Sequence, residues 1–243
     1  MINMRIVIGI LLTGFVSLWG VGGIANTPHD LSATVWTGVA TEDNGELCVY
    51  CHTPHAANSS FTGAPIWNKS TPTSTFTLYG TTIASTTAGL AGDNATVNAP
   101  SMACLSCHDG VSAVNSVVNA PGTGLATADA DAFIGTGAQA LSAIAADASG
   151  ASVIGTNLSN DHPVSIAYTE GKAGLRLKSY NISTWVGATT IQDILRTTGG
   201  VDYVECGSCH DPHNGADTKG TGSVAFLRVL NTGSVLCLGC HDK

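Results

Sequence analysis

Cys48-Val49-Tyr50-Cys51-His52 is the first of four pentapeptides built on one pattern. The others are Cys104-Leu105-Ser106-Cys107-His108, Cys206-Gly207-Ser208-Cys209-His210 and Cys237-Leu238-Gly239-Cys240-His241. Each reads C-x-x-C-H, and together they use all 8 cysteines of the 243-residue chain. The spacing carries a specific chemistry. Two thiols three residues apart can add across the two vinyl groups on one porphyrin edge, and the imidazole that follows then reaches the iron from one face. This is the attachment signature of a c-type haem. The expected cofactor-binding residues are therefore Cys48, Cys51, Cys104, Cys107, Cys206, Cys209, Cys237 and Cys240, holding four covalently bound haems. His52, His108, His210 and His241 are the expected proximal iron ligands. Paired C-x-x-C groups also hold structural zinc or act as redox dithiols. Zinc does not require histidine directly after the second cysteine in every copy, and a redox pair does not recur four times without a βαβ pattern.

Each iron needs a sixth ligand or an open position. Outside the motifs the chain has His29, His55, His162 and His213, one for each haem, so bis-histidine ligation is expected throughout. Beyond the first few residues the only methionine is Met102, two residues before Cys104 and poorly placed to cross to the far face of a haem. Without Met/His ligation the reduction potentials are expected to be comparatively low. His55 follows His52 by three residues in Cys-His-Thr-Pro-His, and His213 follows His210 in the same way in Cys-His-Asp-Pro-His. Three residues cannot carry the chain around a macrocycle edge, so each must serve a haem other than its neighbour's. The expected assignment is His55 to the haem on Cys104/Cys107 and His213 to the haem on Cys237/Cys240. With every iron six-coordinate no catalytic residue is expected, and electron transfer is the function that remains. An oxidoreductase with one open iron is the enzymatic alternative.

The rest of the chain is sparse. Its 9 basic and 17 acidic residues provide no basic patch, which excludes electrostatic nucleic-acid binding. Residues 1–25 read as a secretory signal, with Arg5, an apolar stretch to Ile24 and small residues before a cleavage site at Asn26. An uncleaved anchor is the alternative, weakened by Gly9, Gly14, Gly20, Gly22 and Gly23. Residues 26–243 then form a single domain with no further membrane span expected. Residues 112–160 are an insert rich in Ala, Gly, Ser and Thr, with a short helix expected over Ala126 to Ala148. A helix start is expected at Thr190-Ile191-Gln192-Asp193, running to a stop at Gly199-Gly200. Thr75 to Tyr79 alternates like a short strand. The fold class expected is a mostly irregular, loop-rich multihaem cytochrome with a few short helices and strands, in which the haems form the core. Five N-x-S/T sequons, at Asn58, Asn68, Asn94, Asn157 and Asn181, mark possible glycan acceptors.

Several stretches resemble the doubled-C-x-x-C-H multihaem cytochromes. They are Cys48 through His55, Ala64-Pro65-Ile66-Trp67-Asn68, Asn160 through Ser165, Val204 through His213, Phe226-Leu227-Arg228, and Leu236 through Lys243. Within that group the motif count, size and leader are similar to the OmcE-type extracellular cytochrome filaments. The resemblance implies subunits polymerised head to tail, with stacked haems and one distal histidine donated by the neighbouring subunit. His29, ahead of the first motif, is the candidate for that donor in trans; ligation of a haem in its own subunit is the alternative. Redox proteins or extracellular acceptors are the implied partners. An exported, extracellular location is implied, and a soluble periplasmic shuttle is the alternative.

Overall fold

The computed structural model describes residues 24–25, 27–30, 47–79, 96–112, 117–119, 153–214 and 226–242. Most of the expected leader and the whole expected helix at Ala126–Ala148 lie outside them. Regular structure is short and scattered. Helix α1 spans Ala99–His108, α2 Ile191–Ile194, α3 Cys206–Cys209 and α4 Val235–Cys240, with a 3-10 turn at Thr232–Ser234 leading into α4. Strands β1 (Ile166–Ala167), β2 (Arg196–Thr198) and β3 (Val201–Val204) form an antiparallel sheet in the order β1-β3-β2. The loop-rich expectation holds. No helix among the described residues is long and apolar enough to cross a membrane.

Helix α1 carries the second motif and starts with Pro100 in its first turn, where a missing N–H costs no helical hydrogen bond. Helix α2 begins where expected. The Asp193 carboxylate accepts from the Thr189 and Thr190 N–H groups and the Thr190 hydroxyl, which holds its carboxyl below the usual range. Its end differs from expectation. Leu195 is already extended (φ −79°, ψ 155°), and Arg196–Thr198 pairs with β3 in the register Arg196↔Tyr203 to Thr198↔Val201. Gly199 and Gly200, at φ +58° and +81°, form the two-residue hairpin turn and not a helix stop. The expected strand at Thr75–Tyr79 shrinks to one parallel bridge, Thr77↔Asn157.

Two small apolar clusters hold these pieces. Tyr168, Ile182, Trp185, Ile191, Ile194 and Leu195 pack beneath α2 and the sheet. Leu78, Val97, Leu105 and Leu158 pack against α1. The buried polar set is as prominent, with Asn68, Lys69, Ser101, Ser165 and Glu205 each no more than 1% exposed.

Candidate haem-binding site

Each motif forms a turn of helix. The N–H of His52 donates to the carbonyl of Cys48 (2.8 Å), that of His210 to Cys206 (3.0 Å) and that of His241 to Cys237 (2.9 Å). The second motif lies within α1. Helical spacing puts positions i, i+3 and i+4 on one face, so both thiols and the histidine ring emerge on the same side. None of the eight cysteines is joined to another by a disulfide.

After the first, third and fourth motifs the chain turns extended, and another segment of chain straps it down. The straps are Ile66-Trp67-Asn68, Phe226-Leu227-Arg228 and Gly174-Leu175-Arg176. Their middle residues bridge the motif histidines: His52↔Trp67, His210↔Leu227 and His241↔Leu175. Each strap makes the same bonds. Its first carbonyl accepts from the residue after the histidine: Ile66 from Thr53 (2.9 Å), Phe226 from Asp211 (2.8 Å) and Gly174 from Asp242 (3.0 Å). Its third N–H donates to the second cysteine: Asn68 to Cys51 (2.7 Å), Arg228 to Cys209 (2.8 Å) and Arg176 to Cys240 (2.9 Å). The third side chain then caps the carbonyl just after the first cysteine. Asn68 Nδ2 donates to Val49 (2.7 Å), Arg228 Nε to Gly207 (2.9 Å) and Arg176 Nε to Leu238 (2.8 Å).

Making these bonds puts the first strap residue in the left-handed region, at φ +51° for Ile66, +66° for Phe226 and +83° for Gly174. The conformation costs roughly 1–2 kcal/mol in a residue with a Cβ, and three new hydrogen bonds offset it. The second motif is held differently. Ile154 and Gly155 both donate to the His108 carbonyl. Burial works against the charge of Asp109, yet donors from Ser112, Val111 and Ser74 hold its carboxyl below the usual range.

The distal candidates fall into place around these turns. With metal–nitrogen bonds of about 2 Å and ring nitrogens roughly 1 Å from the ring centre, two imidazoles on opposite sides of one iron have centroids about 6 Å apart. His29 and His108 are 6.1 Å apart, His52 and His213 6.1 Å, and His162 and His241 6.4 Å. These are three pairs of one motif histidine with one spare histidine, at the separation a haem iron requires. Zinc needs several ligands to converge, and among the described residues no group of three or more His, Cys, Asp or Glu side chains does so. The arrangement fits haem.

The ring pairs differ from the expected assignments. His213 lies opposite His52 and not His241, because the Asp211 carboxylate accepts the His213 N–H (3.1 Å) and turns the Cys-His-Asp-Pro-His segment back toward the first motif. His29 lies opposite His108 of its own chain. Phe226 of the third strap stacks on its ring at 4.1 Å and 16°, and the Pro212 carbonyl accepts a hydrogen bond from it. Burial, then the nearby His108, pulls His29 down to about 4, which favours its neutral imidazole. Proline carbonyls do the same orienting work elsewhere: His52 Nδ1 lies 2.9 Å from Pro65 O, and His162 Nδ1 lies 3.0 Å from Pro163 O. In the Nδ1–H tautomer such a bond leaves Nε2 for iron. His55 is exposed and makes no ring contact among the described residues.

The thiols of successive motifs are neighbours. Cys51 is pushed up to about 12 by burial and then by Cys107. The Cys104 thiol donates to Cys206, which raises the first and lowers the second. Cys209 is pushed up to about 11 by burial, then by Cys206 and Cys237, and Cys240 to about 11 by burial, then by Cys209.

Motif spacing alone located every motif residue. The Gly174-Leu175-Arg176 strap and the fully buried Glu205 were missed. The Leu-Arg shared by residues 175–176 and 227–228 was the available signal for the strap. The sequon at Asn68 is closed to glycan, because the side chain is fully buried and donates to the Val49 and Asn119 carbonyls.

No curated protein matches the chain. The doubled CXXCH motif family matches residues 199–243, the stretch holding the third and fourth motifs. Over that segment the chain is similar to proteins with covalently bound c-type haem, which supports placing it at the coarse level of the multihaem cytochromes, with electron transfer as the class of function.

Proposed function

We propose that the protein is an exported tetrahaem c-type cytochrome that carries electrons along closely spaced bis-histidine haems and polymerises head to tail into an extracellular filament. The observation that carries this reading is the set of three histidine pairs at 6.1–6.4 Å, each joining a motif histidine to a spare one. Bound at these motifs, haem supplies reversible one-electron chemistry at iron. The protein's own part would be to present a motif histidine and a spare histidine to each haem and to fix the spacing between sites. The thiol contacts support a wire in chain order. Cys51 neighbours Cys107, Cys104 neighbours Cys206, and Cys209 neighbours Cys237, so the attachment edges follow one another from the first motif to the fourth.

By counting, His55 is left for the haem on Cys206/Cys209. Its backbone is pinned at the surface, where Thr53 Oγ1 and Asn119 Nδ2 donate to its carbonyl. An exposed imidazole that meets no other ring among the described residues suits donation to a neighbouring copy, and His29, already opposite His108, does not. An interface of that kind is heterologous and does not close, so it generates a filament. Export rests on the leader-like residues 1–25.

Electron microscopy of the haem-stained extracellular fraction, together with mass spectrometry of the subunit, tests the reading. Filaments whose subunits carry four haems are expected, with the His55→Ala variant remaining unpolymerised and showing one high-spin haem. Discrete monomers with every haem low-spin would move the assignment to a soluble periplasmic shuttle.

A further inference from the structure

Glu205, one residue before Cys206, is 1% exposed, and none of the ion pairs among the described residues includes it. Its carboxylate accepts from Asn98 Nδ2 (2.8 Å), Ser101 Oγ (2.5 Å) and Ser165 Oγ (2.9 Å). Ser101 Oγ also accepts the Cys206 N–H (3.1 Å), and Ser165 Oγ the Asn98 N–H (2.8 Å), which leaves each hydroxyl hydrogen to donate to Oε2. Two hydroxyl donors on one oxygen and an amide donor on the other fill three of the roughly four acceptor sites of a carboxylate. Such a donor set suits the ionised, acceptor-only form. Burying a charge is costly unless it is hydrogen-bonded and compensated, and the three donors here are all neutral.

The position identifies the compensation. Ser101 is three residues before Cys104 and accepts the N–H of Cys206, and Glu205 is next to Cys206, so the second and third motifs meet at this carboxylate. Resting on the haem reading above, we propose that Glu205 is a buried counter-charge for the two haems attached through Cys104 and Cys206, favouring their ferric state and making them the low-potential section of the wire. A ferric bis-histidine centre carries one more positive charge than the ferrous one. A fixed anion in a low-dielectric site therefore stabilises the oxidised form selectively. Glu205 acts through the haems it adjoins, as a positioning residue for charge.

Glu205→Gln tests this with little change of shape. The Gln carbonyl can take the place of Oε2 and accept both hydroxyls, while a flip of the Asn98 amide gives the Gln N–H₂ an acceptor. Spectroelectrochemical titration of the purified holoprotein is expected to show at least one haem with its reduced-to-oxidised ratio raised about tenfold at a fixed potential, a shift of ~59 mV for a one-electron couple. Ser165→Ala keeps the charge and removes one donor, so it is expected to lower stability with a much smaller change in potential. A Glu205→Gln protein with its full haem complement and unchanged potentials overturns the proposal. A native protein without covalent haem, by pyridine haemochrome assay, would instead overturn the haem reading. If Glu205→Gln fails to load haem, redox-difference infrared spectra of native protein labelled with [¹³C]glutamate decide. Carboxylate bands in the oxidised state are expected, and a labelled carboxylic-acid carbonyl band from a buried Glu would overturn the charge assignment.

Discussion

Gly239, between the two cysteines of the fourth motif, has no room for a side chain. A Cβ there would meet Trp185, at 2.8 Å from Cη2 and 3.1 Å from Cε2, and closer still to Cζ2. Carbon atoms pack best at about 3.5–4.0 Å, so the indole or α4 must retreat by roughly 1 Å or more. Trp185 has little freedom to do so. It is 4% exposed, belongs to the cluster with Ile182, Ile191 and Ile194, and its N–H is bonded to the Ile182 carbonyl at 2.8 Å. Overpacking of this kind costs about 1–3 kcal/mol, and the helix preference of Ala over Gly returns up to about 1 kcal/mol. Gly239→Ala is therefore expected to destabilise the holoprotein by about 1–2 kcal/mol, read as a lower midpoint in urea. In a Trp185→Leu background the same change should cost less, with a coupling of about 1–2 kcal/mol in a double-mutant cycle. A Gly239→Ala protein as stable as the native one, or one equally destabilised in both backgrounds, would refute the packing argument.

Three further expectations rest on other contacts. Arg228 is 7% exposed and bonds the Gly207 and Val186 carbonyls, with Asp211 at 3.5 Å, so Arg228→Leu should lose about 2–5 kcal/mol in chemical denaturation; a loss under about 1 kcal/mol would show the third strap to be dispensable. Asn68→Ala removes the cap on Val49 and both bonds to the Asn119 backbone, and should cost about 2–4 kcal/mol and disturb the first motif before the others, which hydrogen exchange at residues 48–53 would reveal. Asp202 is held below its ordinary value by its hydrogen bond from Lys178 and then by Thr197. Its folded-state value being the lower one, the stabilisation is full above the unfolded value near pH 4 and is lost as pH falls through the folded value. Asp202→Asn should therefore flatten the acid limb of the stability–pH curve by about 1 kcal/mol at most, and an unchanged limb would remove the role of this pair.

The cysteine spacing was legible without any structure because covalent attachment is a local matter: two thiols and an imidazole must lie within one helical turn, and sequence spacing sets that directly. The Thr190 helix start was legible for the same reason, since its cap closes within four residues. Its end was not, because the pairing of Arg196–Thr198 with β3 overrode the helical preference of the segment. Composition also foretold the thin, loop-rich fold. What only the tertiary structure decided is which parts meet. His213 faces His52 across a long stretch of chain, and His29 faces His108 because Phe226, from the far end of the sequence, stacks on it. The straps likewise tie residues 66–68, 226–228 and 174–176 to distant motifs, and the Glu205 cluster joins residues 98–101, 165 and 205, through hydrogen bonds whose partners no local pattern names. Sequence spacing fixes what a single turn can reach. A second ligand on the opposite face of an iron must come from elsewhere in the chain or beyond it, and only folding determines which histidine arrives.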